Sequence, residues 1–219
     1  MKETSKRSDV IPNNAFYYRF VKRLFDIVFS IISLILLSPL MLIISLMILL
    51  SDVRPVFFSQ KRAGLNGEPF NIHKFRTMIP NAPELLNENL KGSRRDGPVW
   101  KIQDDPRVTK TGAFLRRTDL DELPQLLNIL RGEMSVVGPR PLADYEVRNL
   151  TPYERQRLLV KPGLICTWQL RKNEDIPFAK RTEIDLDYIR NAGILTDLRI
   201  ILMTIPAILN GKNRGRADK

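Results

Sequence analysis

Within "TDLDELPQLLNILRGEMSVVGPRP", residues 118–141, two carboxylates stand side by side at Asp121 and Glu122. Arg116 and Arg117 precede them, and Arg140 follows in a rigid Gly-Pro-Arg-Pro turn. Adjacent carboxylates repel, so the pair needs a cation or a helix end to offset it. One reading is structural. Asp121 occupies a position suited to a helix N-cap, with Glu122 in the first turn and Pro124 tolerated there. The other reading is chemical and uses the same placement. A helix N-terminus gathers backbone donors and positive potential, which suits a phosphate. Mg²⁺ usually takes one or two carboxylates plus substrate phosphates. Guanidinium groups such as Arg116 and Arg140 clamp phosphate through paired hydrogen bonds. One acid would then attack phosphorus while its neighbour, Glu122, holds the metal, since aspartate can act as a covalent nucleophile in phosphoryl chemistry.

Lesser candidates surround this core. Lys74 and Arg76 in "KFRTM" and Arg117 beside Arg116 are possible substrate-binding cations, or surface charges on a strand and a helix. Gln169 is a possible substrate contact. Asp105 and Arg107 read as a turn-stabilising pair, and Trp100 and Trp168 as core or interface residues. Cys166 is the only cysteine and His73 the only histidine. An internal disulfide is therefore excluded. A His/Cys zinc site is disfavoured, as is a Ser-His-Asp triad unless His73 serves it.

Something must carry these residues to their substrate. Lys and Arg total 35 against 24 acids, giving a formal net charge of +11. That balance points to an anionic partner: nucleic acid, anionic lipid or a phosphorylated metabolite. From Ile27 to Leu50 run 24 residues without a charge. At about 1.5 Å per residue such a helix would cross a bilayer core of roughly 30 Å. Its flanks are basic on both sides, with Lys22 and Arg23 before it and Arg54, Lys61 and Arg62 after it. The positive-inside rule would put both in the cytoplasm. Ser38-Pro39 sits mid-run, where proline removes a backbone donor and kinks a helix. Two forms remain open: a re-entrant helix that enters and leaves by one face, and a spanning helix with a tolerated proline. A second apolar stretch, "GILTDLRIILMTIPAILN", suits an interfacial amphipathic helix or a core helix, and the tail after it is basic.

Residues 52 onward alternate short elements with turns. Two strands are expected around Asn66-Gly67. A helix fragment and mobile loop are expected over 80–97. Helices are expected through Phe114–Arg116, from Leu123 to a stop at Gly132, over "TPYERQRLLV", and over "EIDLDYIRNAG". The fold class is α+β: a broken membrane helix plus a small, mostly helical domain with a short sheet or hairpin, not a doubly wound α/β domain.

The stretches "KRLFD", "FFSQKRAG", "KFRTM", "DDPRVTKTGAFLRRTDLDELPQLLNILRGEMSVVGPRPL" and "LDYIRNAGILTDLRIILMT" together resemble the bacterial sugar transferases. These are the small monotopic phosphoglycosyl transferases that begin glycan assembly on polyprenol phosphate. The resemblance implies a two-step exchange at the cytoplasmic face of the bacterial inner membrane. A UDP-sugar gives its phosphosugar to Asp121 and releases UMP. Undecaprenyl phosphate then takes the phosphosugar from the covalent intermediate. It further implies that Glu122 binds Mg²⁺, that Arg116 and Arg140 bind phosphate, and that a re-entrant helix breaks at Ser38-Pro39. The implied organisation is a basic tail over 1–20, the membrane helix over 21–51, a catalytic domain over 52–205 and a basic tail over 206–219. One departure stands out: the family's Pro-Gly-x-Thr-Gly stretch reads "KPGLICTWQL" here, with Ile165 and Cys166 in place of Thr-Gly. That puts the sugar or nucleotide pocket in question if the loop lines it.

Two other classes compete. A membrane-anchored phosphodiesterase or phosphatase would use water in the second step. A non-enzymatic adaptor binding anionic lipid would explain the charge and the apolar run, but not an acid pair between arginines. Nucleic acid is disfavoured as a partner because the basic residues are not interleaved with aromatics for base stacking.

Overall fold

The structure is a computed structural model that describes residues 9–51, 54–82, 85, 94–97, 99–101, 105–171 and 176–209. The chain opens on one long helix, α1 (Phe16–Leu50), of 35 residues. It begins ahead of the expected boundary at 21, because Tyr18 is buried in the domain core and extends the helix toward the amino terminus. The residues before it are tied down as well. Val10 is buried, its N–H donating to Gln156 Oε1 at 2.6 Å, and the Asn13 side chain donates to Ala192 O at 2.9 Å. The part of the expected basic tail at 1–8 lies outside the described residues.

The helix runs through Ser38-Pro39 rather than ending there. Ser38 Oγ donates to Ile35 O at 2.8 Å, and Ser30 and Ser45 turn back on carbonyls of the preceding turn. Hydroxyls satisfied within their own helix can face an apolar medium at little cost. Much of the outward surface is apolar, including Ile32, Ile35, Leu36, Leu42 and Ile43. Among the described residues α1 is the one helix long and apolar enough to cross a membrane.

Four polar side chains on the first turns of α1 fasten it to the domain. Their spacing, at Tyr18, Lys22, Arg23 and Asp26, puts them on one helical face. Arg23 donates from both terminal nitrogens to Ile129 O at 2.7 Å and Leu130 O at 2.8 Å. These carbonyls close helix α3 (Gln125–Arg131), where backbone acceptors and the helix dipole favour a cation. Asp26 accepts from Ser135 Oγ at 3.0 Å and from Val136 N at 2.9 Å. Lys22 reaches Asp197 at 2.7 Å and Val137 O at 3.1 Å, and the hydroxyls of Tyr18 and Tyr188 also donate to Asp197. The far half of α1 packs on the same domain: Ile44 and Ile48 are buried with Phe75 and Leu115, with Leu120 and Leu123 against them.

The domain itself is short elements, as expected, but among the described residues its strands form three separate pairs rather than one sheet. β1 (Phe57–Ala63) and β2 (Pro69–Phe75) form an antiparallel hairpin, with Phe57 opposite Phe75 and Ala63 opposite Pro69. Its turn carries positive φ at Asn66 and Gly67. β3 (Arg94–Asp96) and β4 (Val99–Lys101) pair antiparallel, partly where a loop was expected; most of the rest of that stretch lies outside the described residues. Helix α2 (Lys110–Arg117) is capped by Thr109, whose hydroxyl accepts from Gly112 N. Helix α3 (Gln125–Arg131) buries Leu126 and Ile129 and stops at Gly132, as expected. β5 (Ser135–Val137) pairs parallel with β6 (Gly163–Ile165). Between them lie α4 (Asp144–Arg148) and α5 (Pro152–Arg155), the latter closed by a Thr151/Glu154 capping box. α6 (Phe178–Arg190) and α7 (Ile194–Leu209) complete the chain, α7 continuing through Pro206 where a tail was expected.

One close approach fixes the Gly-Pro-Arg-Pro turn. A Cβ on Gly163 would sit 2.0 Å from Gly138 N, so both positions exclude a side chain. Gly138 N donates to Ile165 O and Gly163 N to Pro139 O, which locks the turn that presents Arg140. The anchoring by Asp26 supports β5 directly before this turn. Asp26→Ala would leave Val136 N and Ser135 Oγ buried without their acceptor. A loss of about 3 kcal/mol is expected, read as a lower midpoint in thermal unfolding of the detergent-solubilised protein.

Candidate active site

Asp121 and Glu122 lie in a single 3₁₀ turn, Leu120–Glu122. The turn follows Asp119, which takes a left-handed conformation at φ 55°. The capping role expected for Asp121 is not observed: the N-cap of α3 is Pro124, and no side chain caps it. The turn inserts a bend between α2 and α3, so the acids face across to β2 instead of along the next helix. Both are buried, at 8% and 9% exposure.

Three elements converge on them. The end of β2 brings Lys74, whose Nζ lies 2.7 Å from Glu122 Oε1 and 3.9 Å from Asp121 Oδ2. The locked turn after β5 brings Arg140, 3.3 Å from the same Glu122 oxygen. The last turn of α2 brings Arg116, whose Nε donates to Thr77 Oγ1 at 2.9 Å. Thr77 in turn holds the start of α2, because its carbonyl accepts from Thr109 N. Burial pushes the Asp121 carboxyl up to about 6. The Lys74 ammonium pulls it down, the Glu122 carboxylate raises it, and Arg116 lowers it. Glu122 beside Arg140 raises the guanidinium pKa above its ordinary value.

Of the expected site residues, Asp121, Glu122, Lys74, Arg116 and Arg140 are brought together. Lys74 is a partner of both acids rather than a surface charge. Arg76 is not part of the group: its Nε donates to Pro55 O at 2.8 Å and its guanidinium lies over the Phe58 ring. Strand alternation alone would put Lys74 and Arg76 on one face, but Arg76 lies past the end of β2 and turns to the Pro55 carbonyl instead. Arg117 is exposed in the last turn of α2. Gln169 accepts from Cys166 N at 3.2 Å and so braces its own loop. The Ile165-Cys166 departure sits behind the site: Ile165 O holds Gly138, and Cys166 is fully buried, its thiol pushed up by burial. Asp105 and Arg107 form the expected turn pair, at 2.7 Å.

Glu122 opens onto a recess of about 240 Å³ lined also by Arg62, Lys74, Gln125, Arg140 and Gly163. It shares Arg62, Arg140 and Pro141 with a neighbouring chamber of about 400 Å³. Arg62 and Gln125 were not singled out from sequence. Arg62 belongs to "FFSQKRAG" and could have been found only from the hairpin register, which sets it opposite Phe70. Among the described residues no group of three or more His, Cys, Asp or Glu could hold a metal. A hard cation here would rely on the adjacent carboxylates and on substrate phosphates, the donor set Mg²⁺ commonly uses.

Comparison with known proteins places these residues in context. The family model described as bacterial sugar transferase matches residues 17–211. An exopolysaccharide production protein, ExoY, from Sinorhizobium fredii is 43% identical over 191 residues, covering 85% of this chain and 84% of its own length. The undecaprenyl-phosphate galactose phosphotransferase of Salmonella typhimurium is 38% identical over 195 residues, covering 87% of this chain and 41% of its own. The UDP-glucose:undecaprenyl-phosphate glucose-1-phosphate transferase of Escherichia coli is 40% identical over 196 residues, covering 85% of this chain and 40% of its own.

The raised pKa of Asp121 makes a stability prediction. Its folded value of about 6 lies above the ordinary 3.8, so folding takes up a proton. The native state is helped most below pH 4 and loses that help as pH rises through 6. Asp121→Asn does not titrate. Relative to wild type it should therefore gain stability between pH 4 and pH 7.5, by up to about 3 kcal/mol. Urea unfolding at the two pH values checks this; an equal difference at both would contradict it.

Proposed function

The chain belongs to the bacterial sugar transferase family, and from that premise we propose that it is a membrane-bound phosphoglycosyl transferase. It moves a sugar-1-phosphate from a UDP-sugar to a polyprenol phosphate, with undecaprenyl phosphate the acceptor suggested by its relatives' names. The product would start a glycan, and the exopolysaccharide relative favours an exported polysaccharide. The observation that carries the mechanism is a buried carboxylate, Asp121, ringed by Lys74, Arg116 and Arg140.

In the first step an Asp121 oxygen bonds to the phosphorus that bears the sugar. The bond from that phosphorus to the UMP oxygen breaks, and UMP leaves with the electron pair. In the second, an oxygen of polyprenol phosphate bonds to the same phosphorus, and the bond to Asp121 breaks. The carboxylate is restored and a polyprenol diphosphate-sugar departs. Lys74 lowers the Asp121 pKa toward the ionised form that attacks. Arg116 and Arg140 hold the phosphate oxygens and offset their charge. Mg²⁺ held by Glu122 would supply further neutralisation of the diphosphate.

The re-entrant topology has a specific support. Tyr18, Arg23 and Asp26 near the start of α1 and Ile44 and Ile48 beyond Pro39 all contact one folded domain. A helix spanning a core of roughly 30 Å would put its ends on opposite faces. On this reading α1, though continuous through Pro39, bends there and returns to the face it entered, and α7, with exposed Leu195 and Leu202, lies in the interface. Basic flanks on both sides favour a domain at the cytoplasmic face of the inner membrane.

In membranes supplied with UDP-sugars, Mg²⁺ and polyprenol phosphate, UMP release beyond one equivalent per chain should require both metal and lipid. Asp121→Asn should lower it by roughly 10³-fold or more while the protein still folds and inserts. Glu122→Gln should weaken the metal dependence. Multiple-turnover UMP release without a lipid-linked product would identify a hydrolase. Pro39→Ala should straighten α1. Labelling of cysteines introduced near both ends of the chain should then report opposite faces, and continued labelling from one face would show that Pro39 does not set the topology.

A further inference from the structure

The second chamber adjoins the recess at the acid pair and shares Arg62 and Arg140 with it. Arg62, Arg140, Trp168, Phe178 and Arg181 line it, Arg181 lying over the Trp168 ring at 5.0 Å. We propose that this chamber seats the nucleoside-monophosphate half of the donor, with Arg62 and Arg140 at its mouth holding the phosphate that leaves. This rests on the transferase reading above.

Three observations carry it. The first is charge. Arg62 and Arg140 lie close enough that Arg140, together with burial, lowers the Arg62 pKa. Their carboxylate partners are distant, Arg62 from Glu146 at 3.5 Å and Arg140 from Glu122 at 3.3 Å, although one terminal nitrogen of Arg62 donates to Gln60 Oε1 at 2.9 Å. The tight ion pair at this wall, Arg157–Asp185 at 2.6 Å, is almost fully buried and structural. Two adjacent guanidiniums with long contacts call for a multivalent anion, which each can bind through several donors.

The second is unpartnered donors. Arg62 Nε and Trp168 Nε1 are buried without a hydrogen-bond partner among the described residues. Such donors are rare and costly. A phosphate presents only acceptors and would satisfy the one, and a carbonyl or hydroxyl of the nucleoside the other. A neutral sugar fits less well. Its hydroxyl protons need acceptors, and Glu146, the lining carboxylate, already accepts from Ala143 N at 2.6 Å and from Arg62.

The third is position. Arg140 contacts Glu122 and lines both chambers, so it stands between the acid pair and the second chamber. In displacement at phosphorus the leaving oxygen points away from the nucleophile. With the transferred phosphate at Arg140 and Asp121 on one side, the leaving group is directed to the other.

The test uses the full chain in detergent or nanodiscs. Trp168→Phe keeps an aromatic ring and removes the N–H, and Arg62→Lys keeps the charge and removes Nε. UMP affinity by calorimetry and the donor KM should each worsen tenfold or more in both variants, with the KM for a short-chain prenyl phosphate unchanged. Unchanged UMP affinity in either folded variant overturns the assignment. So does an equal rise in the prenyl phosphate KM, which would put the acceptor's phosphate in the chamber. If Arg62→Lys does not fold, Trp168→Phe decides. Calorimetry needs no turnover. A chain that binds UMP through these residues but transfers no sugar would sink the transferase reading alone. A chain that transfers sugar with UMP affinity intact in the variants would sink the chamber alone.

Discussion

Two adjacent carboxylates resist burial unless cations surround them, and this fold is arranged around meeting that demand at Asp121 and Glu122. Each neighbouring element delivers one cation: Lys74 from the hairpin, Arg116 from α2, Arg140 from the turn after β5. Two of them are held by something other than the acids. Thr77 orients Arg116, and the Gly138–Gly163 contact presents Arg140. The cations are therefore pre-positioned. A diphosphate arriving among them meets charge already arranged, and little reorganisation is left to oppose reaction.

The same demand ties the site to the membrane helix. Arg23 clasps the carbonyl end of α3, and Asp26 supports β5 just before the Arg140 turn. Farther along, Ile44 and Ile48 pack with Leu120 and Leu123, the residues that bracket the acid pair. A displacement of α1 would move both ends of the catalytic turn. For the proposed reaction, with one water-soluble and one lipid substrate, this coupling would keep Asp121 at a set height from the bilayer.

Much of this was legible in the chain. Asp121, Glu122, Arg116 and Arg140 are close in sequence, so local spacing was enough to group them, and the hairpin and the α3 stop at Gly132 followed from turn chemistry. What sequence could not decide came from long-range placement. Lys74 and Arg76 are two residues apart and look equivalent, but only Lys74 meets the acids. Arg62 and Trp168 come from opposite ends of the domain and share a chamber only after folding. The capping expectation for Asp121 failed because a left-handed Asp119 bends the chain before α3 begins, and nothing in "TDLDELP" signals that conformation at an aspartate over its neighbours. The helix start at Phe16 was missed because its cause, the contact of Tyr18 with Asp197, spans 179 positions.

The central claim is that Asp121 carries the phosphosugar, and intact-protein mass spectrometry tests it most directly. The purified chain is incubated with Mg²⁺ and its UDP-sugar without polyprenol phosphate, then quenched and weighed. The account predicts one added sugar phosphate, mapped to Asp121, discharged on adding polyprenol phosphate and absent from Asp121→Asn. Lipid-linked product formed with no such adduct, or at an undiminished rate in Asp121→Asn, would contradict it and point to direct attack by the lipid phosphate.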